Sequence, residues 1–341
     1  MNRKTAAAFL AATAAVAAGV GLLKWKGVIP PFRSSEKYAA EVFAMDAPCV
    51  MIKYGDSDFS ALKKRISELD GMLSAYDENG ELFRLNTEKH AVLSYECARL
   101  LDGAAGLYRQ YGKVNPALGE LIELWNVNGD DPSVPSDEKI LDALKTADIR
   151  NISLDGNDCT LLNGARVNFG AVGKGFALDE ISKVLDSEGT QCAIISFGSS
   201  SLLYGEKPDG EVFKVSIADP ENDSETMAVF DCEEGFVSTS GGYERFFEAD
   251  GKRYIHIFDE SSGYPVETDL TSVTVICSEG MLSDFLSTRI FIGGTEELDR
   301  WLSDESIQLI AADTEGNVYC SDSIRDSTEL KSGGFKFKDR P

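Results

Sequence analysis

Apolar positions along the chain switch between two periods, and the switch separates helices from strands. Phe59, Leu62, Ile66, Leu69 and Leu73 recur every three or four residues, which draws one apolar stripe along a helix. Asp56 or Ser57 is expected to cap it. Similar spacing predicts helices over 94–111, 136–147, 175–185 and 281–292, and a shorter one over 296–302. In the 175–185 helix, Phe176, Ile181 and Leu185 face inward. Alternating or β-branched runs predict strands over 41–54, 152–154, 160–162, 192–197, 212–218, 226–230, 253–258, 272–277 and 307–312. The two types mix without a regular β-α-β beat, so an α+β fold is expected over a doubly wound one. No strong linker divides residues 37–341, which read as a single large mixed α/β domain.

The first 26 residues break this pattern. Arg3 and Lys4 precede an uncharged, Ala-rich run from Thr5 to Leu23, closed by Lys24-Trp25-Lys26. A basic start, an apolar stretch and small residues read as an export address. An uncleaved membrane anchor is the first reading and a cleaved signal peptide the second. Residues 27–36, with Pro30-Pro31 and two serines, read as a linker. The body is then expected outside the cytoplasmic membrane and attached to it, or secreted if the signal is cut.

Charge sharpens the picture. Of 341 residues, 33 are Lys or Arg and 57 are Asp or Glu, a net charge of −24. A body this acidic repels a phosphate backbone, so a nucleic-acid partner is excluded. It also needs a specific cation wherever it handles a phosphorylated ligand. The seven Cys are scattered and odd in number, with no C-x-x-C pair, so neither a thiolate zinc site nor a fully paired disulfide framework is expected. Most sit in apolar runs and read as small buried hydrophobes. Two His, His90 and His256, exclude an H-E-x-x-H metalloprotease.

Three segments carry chemistry. Gly170-Ala-Val-Gly-Lys174-Gly175 opens a helix, where glycines admit a close ligand and the helix start favours an anion. It lacks the spacing of a Walker A loop, and a tight strand–helix junction is the plain alternative. Asp284, Ser287 and Thr288 stand at i, i+3 and i+4, stacking one carboxylate and two hydroxyls on a helix face. Oxygen donors of this kind suit Mg²⁺, although an Asp and hydroxyls also cap helices. His256-Ile-Phe-Asp259 ends a strand near a turn, where a general base is one reading and a hydrogen-bonded structural His the other. Ser238 to Arg245 offers clustered hydroxyls in a flexible turn. Neither it nor Gly198-Ser199-Ser200 makes a Gly-x-Ser-x-Gly elbow, so a serine hydrolase is not supported.

Taken in order, these segments resemble the FAD:protein FMN transferases, the ApbE flavin transferases. The resemblance runs from about Met45 to Gly294 through six blocks: LSAYDENGELFRLN from Leu73, PALGELIELW from Pro116, NFGAVGKGFALD from Asn168, STSGGYER from Ser238, His256-Ile-Phe-Asp259 with Gly263-Tyr-Pro265, and SDFLST from Ser283. It implies a T-fold-like α+β domain, FAD as substrate and Mg²⁺ as cofactor. It implies transfer of FMN to a Ser/Thr hydroxyl of an exported or membrane redox protein bearing a flavinylation motif, with AMP released. Metal ligation then falls to the Ala171 carbonyl, Asp284, Ser287 and Thr288. Flavin contacts fall to Met45, Tyr76, Val114, Asn115, Asn168, Lys174 and Phe258, and proton removal to Asp284 or His256. Departures from the family pattern are Asp46-Ala47 for Gly-Thr, Asn115 and Asn168 for acids, Glu260 for Pro and Arg289 for a small residue. The Asn168 and Asn115 changes keep a non-catalytic FAD-binding protein open; because some members of the family hydrolyse FAD, a pyrophosphatase giving FMN and AMP is the other alternative.

Overall fold

A computed structural model describes residues 35–75 and 77–339. The expected address segment, and all but the last two residues of the 27–36 linker, lie outside the described residues. The described chain opens on a hairpin of β1 (Lys37–Ala44) and β2 (Ala47–Tyr54), paired from Lys37↔Tyr54 to Ala44↔Ala47. The single strand expected over 41–54 is therefore two. Met45 and Asp46 both adopt positive φ, 53° and 56°, the backbone of a type I′ turn that reverses the chain.

Helix α1 (Ser60–Leu73) buries Leu62, Ile66 and Leu69 as its spacing predicts. Its expected cap is corrected: Phe59 holds the N-cap position, and the Ser60 N–H donates to Asp58. Asp56 is drawn instead to the buried Lys53 ammonium, an ion pair stronger than an exposed cap. Next come α2 (Glu81–Glu88), β3 (His90–Val92), α3 (Tyr95–Tyr111), α4 (Gly119–Trp125), α5 (Asp137–Thr146), β4 (Ile152–Asp155) and β5 (Asp158–Leu161). The last two are joined by β3 into a small sheet. Helix α6 (Gly173–Glu188) begins inside the glycine-rich segment.

The second half supplies most of the strands: β6 (Cys192–Ser196), β7 (Ser200–Gly205), β10 (Gly235–Gly241) and β13 (Leu270–Cys277) join the main sheet, while β8 (Phe213–Asp219) and β9 (Asn222–Cys232), and β11 (Phe246–Ala249) and β12 (Lys252–Ile255), lie in smaller sheets. Helices α7 (Gly280–Gly293) and α8 (Leu298–Leu302) follow, then β14 (Gln308–Asp313), β15 (Asn317–Cys320), α9 (Asp322–Arg325), β16 (Thr328–Leu330) and β17 (Lys336–Phe337). Nine strands pair in the order β1-β2-β6-β7-β10-β13-β14-β15-β17, antiparallel except for the last pair. This is a mixed, mainly antiparallel α/β architecture, as expected.

The sheet has two dry faces. Met51, Ile195, Leu202, Val273 and Val275 pack with Ile66, Phe176, Ile181 and Phe285 of α1, α6 and α7. Leu203, Val237, Ile276 and Ile310 face the three-stranded sheet β16-β9-β8. A third cluster gathers Trp125, Ile140 and Phe258. All seven Cys are unpaired and six are buried, so they serve as apolar filler; burial pushes the Cys49 and Cys97 thiols up to about 12. Among the described residues no helix is long and apolar enough to cross a membrane.

Candidate active site

Helices α6 and α7 cross where two glycines meet. A Cβ on Gly175 would stand 2.1 Å from the Gly280 carbonyl oxygen, and one on Gly280 would stand 2.3 Å from the Gly175 oxygen. Only glycine admits this approach. Each helix then caps the other. Asp179 of α6 accepts from the Gly280 and Met281 N–H groups (2.7 and 2.9 Å), and Asp284 of α7 accepts from the Gly175 N–H (2.9 Å). Each carboxylate satisfies amides that a helix start leaves orphaned and lies at the positive end of a dipole. Asp284 itself is in the second turn of α7, so it does not cap its own helix.

This arrangement corrects one part of the sequence reading. The start of α6 does favour an anion, but that anion is the protein's own Asp284. Three other amides of the glycine turn are also engaged: Gly170 donates to the Asn168 side chain, and Val172 and Gly173 donate to the Phe169 carbonyl. Diverting the Gly175 N–H to Asp284 has a second effect. That amide would otherwise close the first helical turn on the Ala171 carbonyl, which takes no hydrogen bond among the described residues.

Opposite α7 runs β10, a central strand that takes in Ser238–Gly241 of the segment expected to be a flexible turn; the turn itself is confined to Gly242–Arg245. Ser238 meets Ser283 at 2.9 Å, and Ser240 meets Ser287 at 2.9 Å and Thr288 at 3.0 Å. Two residues along a strand rise about 6.6 Å and four along a helix about 6 Å, so hydroxyls spaced by two and by four stay in step. Ser287 is fully buried and also donates to the Asp284 carbonyl. Thr288 is half-buried. Oxygen donors dominate, and among the described residues no three His, Cys, Asp or Glu side chains gather as a metal cluster. The fit is to a hard cation held by carboxylate, carbonyl and hydroxyl oxygens.

Lys174 stands beside this group, its ammonium donating to the Ser199 hydroxyl (2.8 Å). Ser199 in turn donates to Glu244 across a long 3.5 Å contact, and Ser200 donates to Asp284 (3.1 Å). Burial pushes the Asp284 carboxyl above the usual carboxylate range, against the opposing pull of Lys174, Gly175 and Ser200. Burial raises Glu244 as well, opposed by Lys174, Ser199 and Arg245 and aided by Asp284. Two desolvated carboxylates that resist charging together favour a cation between them.

His256 follows β12. Its Nδ1 lies 3.1 Å from the Arg245 carbonyl oxygen, which can only accept. Nδ1 therefore carries the hydrogen and Nε2 keeps its lone pair. Burial, with Arg245 and Lys174 nearby, lowers the imidazole to about 4, so it is neutral at ordinary pH.

The remaining expected residues are arranged unevenly. Met45 lies in the hairpin turn, its N–H on Asp70 (2.7 Å), and Arg245 holds the neighbouring Asp46 carbonyl (3.1 Å). Val114 is half-buried beside that of Asn115. Asn115 is committed to the frame: its amide donates to the Ala147 carbonyl (2.6 Å) and accepts from the Ala117 N–H (2.9 Å). Asn168 accepts from Gly170, a turn that an aspartate makes equally well. Phe258 packs on Trp125, ring centroids 6.0 Å apart. Tyr76 lies outside the described residues. Ser199, Ser200 and Glu244 were not singled out from sequence. Their only signals were a serine triplet opening an apolar run and an acid following Gly241-Gly242.

Comparison with known proteins bears on the family and the fold. The sequence model of the ApbE family matches residues 44–311. An FAD:protein FMN transferase of Treponema pallidum is 31% identical over 256 residues, covering 68% of this chain and 70% of the relative. One from Escherichia coli is 27% identical over 267 residues, covering 73% and 75%. The crystal structure of an ApbE protein from Thermotoga maritima superposes with a TM-score of 0.78 at 25% identity, covering 84% of this chain and 98% of that one. A flavin transferase ApbE from Vibrio cholerae shares the fold, with a TM-score of 0.75 at 23% identity, covering 84% and 98%. The family match spans most of the chain and takes in both mutually capped helices, the serine strand and the His256 loop: this chain belongs to the ApbE family.

Proposed function

We propose that this protein transfers the FMN half of FAD to a Ser or Thr hydroxyl of a partner protein and releases AMP. The observation that carries the reading is Asp284, a buried carboxylate fixed by α6 and Ser200 and set beside Lys174 and Thr288. The names of the relatives supply the substrate. Asp284, Thr288 and the unpartnered Ala171 carbonyl would hold Mg²⁺, and Ser287 braces Thr288 through Ser240. Bound there, the ion would neutralise charge on a diphosphate as a phosphorus–oxygen bond breaks.

The protein's own groups do the rest. Lys174 meets the anionic part of FAD. The acceptor hydroxyl attacks the phosphorus on the FMN side, and the bond to the bridging oxygen breaks so that AMP leaves with it. The hydroxyl proton goes to Nε2 of His256, which is neutral and unshared, whereas both Asp284 oxygens already accept hydrogen bonds. Asn168 and Asn115 serve backbone turns, so their replacement of acids leaves the frame intact; this favours an active enzyme over a non-catalytic FAD binder. In vivo the N-terminal segment would tether the domain outside the cytoplasmic membrane, near an exported acceptor. Incubation with FAD, Mg²⁺ and a Thr-bearing acceptor domain tests the reading. Fluorescent acceptor supports it, free FMN points to a pyrophosphatase, and unchanged bound FAD points to a binding protein.

A further inference from the structure

The hairpin between β6 and β7 places two consecutive serines on the two charged groups of the site. Gly198 turns the chain with φ 75°, and the Phe197 N–H closes on the Ser200 carbonyl at 2.8 Å. The Thr239 N–H of β10 donates to the Ser199 carbonyl at 2.9 Å, which fixes the tip of the hairpin. Ser200 takes Asp284, and Ser199 takes Lys174. With its lone pair on the ammonium, the Ser199 hydroxyl hydrogen is left for Glu244, which arrives from the segment after β10.

We infer that Ser199 and Glu244 form a holder that positions the Lys174 ammonium for FAD and keeps it off Asp284. A lysine has a long flexible stem, and here two carboxylates compete for its charge. Were it to close on Asp284, it would occupy the lone pairs that carboxylate keeps beyond its bonds to Gly175 and Ser200. The rigid hairpin hydroxyl sets the ammonium aside, and Glu244 balances its charge from the far side. Ser199 and Glu244 are thus positioning residues that act through Lys174. The inference rests on the reading that Lys174 meets the anionic part of FAD.

The test uses the full chain with Mg²⁺ and compares wild type, Lys174→Met, Glu244→Gln, Glu244→Asp, Ser199→Ala and the Lys174→Met/Glu244→Gln double variant. FAD affinity is read by quenching of flavin fluorescence and turnover by FMN transfer to an acceptor domain; thermal melts check that each variant folds. Glu244→Gln and Ser199→Ala are each expected to weaken FAD binding about tenfold, the size of one lost hydrogen bond to a charged group, and to raise KM more than they lower kcat. Glu244→Asp recovers part of the loss. In the Lys174→Met background Glu244→Gln adds nothing. If Lys174→Met weakens binding but Glu244→Gln is silent, or adds its full factor on top, the holder is wrong and the role of Lys174 stands. A silent Lys174→Met overturns both. Coupled FAD affinities without FMN transfer in any variant count against the transferase reading alone.

Discussion

The proposed function gives Asp284 a second job besides its cap, and two substitutions separate the two. As a cap it takes the Gly175 N–H and the Ser200 hydroxyl. Asp284→Ala leaves both donors buried without partners, at about 1–3 kcal/mol each, so about 2–6 kcal/mol of stability is lost. Asp284→Asn keeps an oxygen for Gly175 and turns an amide toward the Ser200 oxygen. It also removes a carboxylate whose ionised form burial disfavours. Its stability should stay within about 1 kcal/mol of wild type, a melting change of a few degrees at most. Asp179 is the natural control, since it caps α7 as Asp284 caps α6 and burial raises it too. Asp179→Asn keeps one oxygen for two N–H donors, so it is expected to melt below Asp284→Asn, at a cost of about 1–3 kcal/mol for the unpaired amide. FMN transfer should survive the first and fall by at least about a hundredfold in the second, the scale of losing a charge-stabilising group. An active Asp284→Asn enzyme, or equal loss of activity in both, would refute the catalytic reading and leave only the cap.

Three further expectations follow from local geometry. Because His256 sits at about 4 rather than the ordinary 6.5, the acid limb of kcat/KM should fall near pH 4, and His256→Gln should cut kcat about 10²–10⁴-fold. Between those pH values the unfolded chain binds the proton that the folded chain refuses. Stability therefore drops as pH falls from about 6.5 toward 4, by up to about 3 kcal/mol, and denaturant titrations of wild type and His256→Gln across that range read it. Asp46 holds a left-handed backbone, so Asp46→Gly should raise stability by about 1 kcal/mol in chemical denaturation while keeping the carbonyl that Arg245 grips. Gly175→Ala should abolish the soluble fold by driving a methyl into Gly280, whereas Gly71→Ala, with open space around it, should stabilise by up to about 1 kcal/mol in the same assay.

What was legible in the sequence was what short-range periodicity encodes. The stripe of Leu62, Ile66 and Leu69, the helix from Ser94 and the carboxylate–hydroxyl face of α7 all follow from spacing alone. The strands that carry much of the site did not stand out. β10 alternates hydroxyls and glycines, and its hydroxyls are buried only because α7 offers matching ones, a condition no single segment reveals. Ser199, in the turn before β7, and Ser200, its first residue, have partners 25 and 84 positions away. The turn at Met45 and Asp46 was missed because Met is unusual at positive φ and no glycine follows Asp46; the Asp70 and Arg245 contacts hold it there. Caps also depend on tertiary setting: Asp56 goes to the buried Lys53, whose ammonium also binds Glu188, 135 positions away.

The carboxylate at the start of α6 sharpens one last expectation. A helix start with free N–H groups binds a phosphate without help. Here Asp284 occupies that start, and a diphosphate approaching it meets a carboxylate, with Glu244 nearby and a strongly acidic chain around both. Lys174, with Arg245 near Glu244, sets two positive charges against two carboxylates and the diphosphate. FAD uptake should therefore be coupled to a divalent cation: calorimetry in EDTA should show weak binding, and added Mg²⁺ should tighten it by at least about tenfold, roughly 1.4 kcal/mol of coupling. Asp284→Asn should reverse the pattern. With the carboxylate neutral, FAD binds more tightly in EDTA than it does to wild type, and Mg²⁺ adds little. A wild-type protein that binds FAD equally well with and without Mg²⁺ would mean that the anion is met elsewhere, and that the freed Ala171 carbonyl and the Thr288 hydroxyl are not cation ligands.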